Sequence, residues 1–283
     1  TAQLLARLDN DGHRTWVFFA PEGMSAEYAF EASSVAATTG AAPAKDEGLV
    51  RIPVPEPGTG AIFEVTPVGG KPFSVLTLTR QQAVNALKSD NLWGGQRVVV
   101  SDNDILADDD LLRVSAVGNN ELSFAVYPPP VDPLRGPGGP LAAQKDGAFA
   151  RYALTLPGRE IKADILKPQE GQLVVKVPRA EFDQLNDIFL SVDYAGDRGW
   201  AFLDSHLVTD NFNNGQPWEI GLKRWRKQLG GDGLFLRVVP WKTNPDKIVF
   251  DGIAFRPTGK ANEPAEIKSV TLVPEYAAEI RLR

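Results

Sequence analysis

The 283-residue sequence has no cysteine, which excludes a disulfide scaffold and a thiolate zinc site. Histidine is nearly as scarce: His13 and His206 are the only two. Neither stands in a G-x-S-x-G context and no H-E-x-x-H spacing occurs, so the chain spells out neither a serine triad nor a histidine-ligated metal. No apolar run approaches the roughly 20 residues that a membrane-spanning helix needs, and no membrane partner is expected. Positive charge is in deficit. The 30 Lys and Arg against 36 Asp and Glu leave a net charge of −6 and a pI near 5.1, the wrong balance for a nucleic-acid partner. The one basic cluster, Lys223, Arg224, Arg226 and Lys227, is too short for a phosphate-binding stripe and reads as a partly solvated turn or helical face. Strand–helix alternation is missing, which sets aside dinucleotide-binding and (β/α)8 folds. A signal-peptide pattern is missing too, and the first residue is Thr1, so the expectation is a processed or excised piece of a longer protein.

What is there is β-strand grammar. With 43% apolar residues the chain has material for about two domains of roughly 100–200 residues. Charge divides along it: residues 1–127 hold 9 Lys and Arg against 16 Asp and Glu, residues 128–283 hold 21 against 20. Six short runs fall in the first eighty residues: AQLLARL, TWVFFAP, AEYAFEA, LVRIPV, AIFEVTP and PFSVLTLT. Each is rich in β-branched and aromatic side chains and bounded by Gly, Pro, Asp or Asn. The small-residue segment 33–45 reads as an exposed loop. Thr79 with Gln82 forms a capping-box pattern that opens a helix whose inward face is Ala83, Ala86 and Leu87, ending before Asp90. RVVVSD, DLLRVSAV and ELSFAVYP then resume the strands. Among the acids at 101–110, Asp102 and Asp104 form a weak calcium candidate: the spacing supplies oxygen ligands but lacks the glycine and terminal glutamate of an EF-hand loop. Structural calcium is the only cofactor the sequence brings into view.

Nine of the fourteen residues at 127–140 are Pro or Gly, a composition suited to a semi-rigid connector. The expected organisation is therefore a β-sandwich at 1–127, a linker at 128–140 and a jelly-roll domain at 141–283. The fold class is all-β: two β-sandwich, jelly-roll-like domains in tandem with one or two short helices. The second half continues with ARYALTL, EIKADILK, LVVKVP and a short polar helix at 179–186. In IFLSVDY, Ile188, Leu190, Val192 and Tyr194 alternate with Phe189, Ser191 and Asp193, the period of a half-buried strand. WAFLDSHLV alternates across a turn at Asp204-Ser205, and Asp210 to Gly215 break the pattern. GLFLRVVPW, IVFDGIAF and EIKSVTLV close the chain.

The stretch 187–225 carries a resemblance. Its Asp-Tyr-x-Gly-Asp after a strand, followed by Asp-Asn-Phe-x-Asn-Gly-x-Pro-Trp-Glu-Ile-Gly-Leu-Lys-Arg, resembles the C-terminal jelly-roll (galactose-binding-like) region of bacterial beta-galactosidase-type glycoside hydrolases. Weaker likenesses lie at 1–23 and 76–88. One departure is Asp204-Ser205, where such proteins usually carry Asn-Gly. The resemblance implies an accessory region whose partner is a catalytic glycosidase barrel that holds both catalytic glutamates. It also implies a periplasmic or extracellular location and no catalysis by this chain.

Sugar binding needs an aromatic platform for the apolar face of a pyranose and polar groups for its hydroxyls. The candidates are Trp93, Trp200, Asn211, Asn213, Asn214, Trp218, Trp225 and Trp241. Trp93, between Asn91 and two glycines, is the aromatic easiest to place in an exposed loop. Trp200 shares a strand face with Phe202, and Trp218 alternates with Glu219, so core packing leads for both. The asparagines equally suit loop closure. Three functions follow: an accessory module that binds plant or microbial polysaccharide, a structural interdomain module with no ligand, and, less favoured, a small lyase-type enzyme.

Overall fold

A computed structural model describes residues 1–244 and 260–283. The architecture is all-β with a few short helical turns. Two compact units divide it: Thr1–Ser115 with Glu121–Leu156 and Ala278–Arg283 form unit 1, and Ala116–Asn120 with Pro157–Ala277 form unit 2. Among the described residues no helix is long and apolar enough to cross a membrane.

In unit 1 the six apolar runs of the first eighty residues all become strands. A five-stranded sheet runs in the order Gln3–Asn10, His13–Phe19, Phe73–Leu78, Ile62–Pro67, Val35–Thr39, with its second and third strands parallel. Both faces are covered. On one, Leu8, Val17, Leu76 and Leu78 pack with Val98, Ala125 and Phe149 of a second five-stranded sheet. On the other, Phe63, Val65 and Val75 pack with Val50, Ile52 and Val54 of a three-stranded sheet. Tyr28 stands edge-on to Phe18 and Phe63 at 5.2 and 5.4 Å, contacts each worth about 0.5–1.5 kcal/mol beyond the burial itself.

Three expectations are corrected here. Segment 33–45 is not a loop: it supplies Val35–Thr39 and Ala44–Asp46 to two sheets. The Thr79 capping box forms as read, but the helix stops at Val84, and Ala86–Leu92 is a strand. Val99 pairs with Leu87 and Val100 with Ala86, so ladder pairing wins over a helix of which the cap stabilises only one turn. The Pro/Gly run 128–140 is not the break between units. Leu134–Gly136 and Gly139–Pro140 form a small hairpin of unit 1, with Leu134 fully buried and paired to Leu282. Proline is tolerated because Gly139–Pro140 lies at a sheet edge, where no ladder N–H is required of it. The chain passes to unit 2 at Pro157, after Phe149–Thr155 has paired with Glu121–Tyr127.

Unit 2 holds two facing sheets. In one, Asp187–Ala195 lies between Trp218–Gly221 and the closing strand Glu266–Leu282, with which it pairs from Glu266 to Glu275, ahead of the part that belongs to unit 1. Ile188, Leu190, Val192 and Tyr194 are all buried, as their alternation requires. The other sheet runs Asp164–Leu166, Gln172–Lys176, Leu234–Val239, Arg198–Leu203, His206–Phe212. The close approach of the layers is set at Gly199: a Cβ there would meet the Trp218 ring at 2.6 Å. The hairpin turn Asp204-Ser205 has positive φ at both positions, 46° and 68°, as a two-residue type I′ turn demands. Asp210, Asn211 and Phe212 remain in the strand, so the pattern breaks three residues later than the sequence indicates. The helix expected at 179–186 is a single 3-10 turn, Arg179–Phe182. The run IVFDGIAF lies outside the described residues.

Candidate functional site

The five-stranded sheet of unit 2 turns its two faces to different surroundings. Gly199, Ala201 and Leu203 on one strand and Leu234, Leu236 and Val238 on its neighbour point inward and are buried. The alternate residues Arg198, Trp200, Phe202, Phe235 and Arg237 point outward and keep part of their surface in solvent. Register aligns them. Phe202 stands opposite Phe235 on one side and Leu207 on the other, and Phe235 stands opposite Val174, itself opposite Leu166. One apolar row thus crosses all five strands. The next row is polar apart from one ring: Gln172, Arg237, Trp200, Asp210.

Trp200, Phe202 and Phe235 border an open concavity of about 480 Å³ whose remaining walls are Asp204, Ser205, Asp232, Gly233 and Arg237. Phe202 and Phe235 are 6.1 Å apart between ring centroids and tilted by 35°. The Arg198 guanidinium lies 5.4 Å from the centre of the Trp200 ring, a cation–π contact that steadies the indole from one side along the strand. Chemically this is an apolar floor with a polar rim. The rings offer π-faces to C–H groups, Arg237 offers fixed donors, Asp204 and Asp232 offer acceptors, and Ser205 offers both.

The other sequence candidates go elsewhere. Trp93, read as exposed, is 5% exposed. It forms with Gly94 the two-residue turn between Ala86–Leu92 and Gly95–Val100, with φ of 54° and 75°. Its backbone N–H donates to the Asp109 carbonyl at 2.6 Å, and its ring lies 6.0 Å from the Arg97 guanidinium, so the turn folds the indole inward. Trp218 and Trp241 are equally buried, and Trp218 stands edge-on to Tyr194 at 6.4 Å. Neither presents a face to a ligand.

The asparagines are structural in their contacts. Asn213 is buried; its amide donates to the Tyr194 carbonyl at 3.2 Å and the Gly196 carbonyl at 2.9 Å, and its oxygen accepts from the Gly215 N–H at 2.8 Å. Asn211, opposite Gly199 and hence inward, donates to the Tyr194 hydroxyl at 2.8 Å. Burial pushes that phenol up to about 12, against the smaller opposing effect of the Asn211 bond. Asn214 accepts from the Gln216 N–H at 3.0 Å, an Asx turn. Trp225 is partly exposed, with the Arg224 guanidinium 4.0 Å from its ring centre. Asp102 accepts from the Asn85 amide at 2.7 Å, and Asp104 begins a strand opposite Ser115. Among the described residues no three His, Asp or Glu side chains gather as a metal site.

Of the eight sugar-binding candidates only Trp200 lies at the concavity. The side chains that join it there, Phe202, Asp204, Ser205, Asp232, Phe235 and Arg237, are not among the eight. The signal was in GLFLRVV: Phe235 falls on the same side of the alternation as Arg237, so it belongs to the outer face.

No protein-family model matches the chain, and no match is found among curated proteins. Among solved structures, the chain is similar over 89% of its length to 72% of a Bacteroides ovatus protein, SGBP-B of a mixed-linkage glucan utilization locus, solved in complex with a mixed-linkage heptasaccharide. The identity is 9% and the TM-score 0.23.

Proposed function

We propose that unit 2 is a glycan-binding β-sandwich that stacks sugar rings on Trp200, Phe202 and Phe235. It would serve as the accessory region of a beta-galactosidase-type glycoside hydrolase that acts on plant or microbial polysaccharide, in the periplasm or outside the cell. The observation that carries the reading is the outer sheet face, where three rings floor a concavity rimmed by Asp204, Ser205, Asp232 and Arg237. Fully burying one such ring contributes roughly 1.5–3 kcal/mol, so two or three stacked sugars give binding that is weak alone. Tethering to a catalytic domain raises its effect, because the second contact becomes intramolecular at an effective concentration of about mM.

The test is a titration of the full chain with galactan, xyloglucan, xylan, mixed-linkage β-glucan and arabinogalactan, read by tryptophan fluorescence, with product analysis on the same samples. Saturable binding without new reducing ends, lost in Trp200→Ala, is the expected result. No binding to any of them would favour the ligand-free structural module, for which Leu166, Leu207 and Phe212, all exposed on the same face, would be the docking contacts. New reducing ends would replace both readings with an enzyme.

A further inference from the structure

We infer that unit 2 carries a second subsite, for the carboxylate or sulfate ester of an acidic polysaccharide, at Lys223, Arg224, Arg226 and Lys227. The inference rests on the reading of unit 2 as a glycan binder. The four cations stand on a turn that is fixed at both ends. Leu222 and Leu229 are fully buried, and between them the Trp225 N–H donates to the Leu222 carbonyl at 2.9 Å and the Gln228 N–H to the Trp225 carbonyl at 2.9 Å. Asp187 holds the start of the turn: its carboxylate accepts from the backbone N–H groups of Lys223 and Ile188, each at 2.7 Å. Both bonds fall on its Oδ1, and its single negative charge stands against the four cations.

Lys223, Arg224, Arg226, Lys227, Gln228 and Asp187 line a concavity of about 540 Å³. Among the described residues none of the four cations makes an ion pair, whereas Arg7, Arg14, Arg51 and Arg151 in unit 1 each face a carboxylate within 3.2 Å. Four like charges within five residues repel one another, and an oxyanion between them relieves that repulsion. The Arg224 guanidinium lies over Trp225, 4.0 Å from the ring centre, and a guanidinium held over a ring can still turn its edge N–H groups to two oxygens of one acid group. With these four cations set aside, the acids outnumber the bases in the rest of the chain, which favours a polymer with spaced acid groups over nucleic acid.

The two subsites are close in the chain. Gln228 lines the basic concavity and Asp232 the aromatic one, and four residues span at most about 14 Å. The two concavities thus border the same short segment of chain, which allows one glycan to reach both.

The test compares polygalacturonate, a sulfated galactan, a neutral galactan and a single-stranded DNA oligonucleotide as ligands of the full chain, at low and high salt. The variants are the quadruple K223Q/R224Q/R226Q/K227Q and the single Lys227→Glu at an exposed position, each checked by its melting temperature. Expected is binding of one or both acidic polymers about tenfold tighter than neutral galactan at low salt. That excess should vanish at high salt, fall in both variants, and leave neutral binding unchanged. Which acidic polymer responds distinguishes carboxylate from sulfate ester. Equal affinity for acidic and neutral galactan, unchanged acidic binding in Lys227→Glu, or DNA bound as tightly as either polymer would overturn the subsite. Loss of neutral binding alone would instead count against the aromatic platform.

Discussion

Phe73–Leu78 in unit 1 and Arg198–Leu203 in unit 2 are both interior strands of five-stranded sheets, and they treat their two faces differently. In the first, Ser74, Val75, Leu76, Thr77 and Leu78 are buried one after another, because a layer packs on each side. In the second, burial alternates strictly, and the outward positions are Arg, Trp and Phe instead of the Thr, Lys or Glu that a solvated face usually carries. The aromatics of unit 1, Phe18, Tyr28 and Phe63, cover one another within a core. Trp200, Phe202 and Phe235 border open space. An aromatic ring inside a core is accounted for by packing, whereas three neighbouring rings beside an open concavity are not, and that is the ground of the proposed glycan site.

Four substitutions or conditions sharpen this contrast, from the largest effect to the smallest. Leu76→Ala, at a fully buried position, should cost about 2–5 kcal/mol of stability and leave glycan affinity unaltered in the folded fraction, as denaturant melts and titration would show. Trp200→Ala should do the reverse: a loss of roughly 1.5–3 kcal/mol in glycan binding, about tenfold or more in affinity, with little change in melting temperature. If it instead lowered the melting temperature as far as Leu76→Ala does, Trp200 would be core. Asn213→Ala should cost about 1–3 kcal/mol of stability, because the carbonyls of Tyr194 and Gly196 and the N–H of Gly215 all lose their partner. A pure sugar ligand at that position would show normal stability and lost binding.

The smallest effect is a pH dependence. Burial raises the Tyr194 phenol to about 12, so on raising the pH the unfolded chain gives up this proton first. Tyr194 costs no stability below about pH 10, its ordinary value. Stability then falls with pH until the folded value is reached, by about 1.4 kcal/mol at pH 11. Tyr194→Phe should remove that slope; an unchanged slope in alkaline denaturant melts would place the cause elsewhere.

The sequence was most legible where one local rule governs. The alternation of Ile188, Leu190, Val192 and Tyr194 yields a strand because period-two burial leaves no other solution. The Thr79 cap forms because its bonds close within four residues. It was least legible where distant chain decides. Leu134 makes a strand of a Pro/Gly run only by pairing with Leu282, and the inward fold of Trp93 depends on Asp109 and Arg97. The candidate site fell between these cases. Trp200 and Phe202 could be placed on one strand face, yet which face meets solvent is set by Leu236 and Ala201 pairing across the sheet. Counting tryptophans and asparagines favoured residues that hold the fold together, while Phe235 sat unremarked in an apolar run.

The most direct measurement of the central claim is calorimetric titration of the wild-type chain and Trp200→Ala with the glycan that binds best in the screen. The outer-face account predicts a saturable isotherm for the wild type and an affinity at least about tenfold weaker for the variant, with the two melting temperatures alike. Equal isotherms for the two proteins would contradict it.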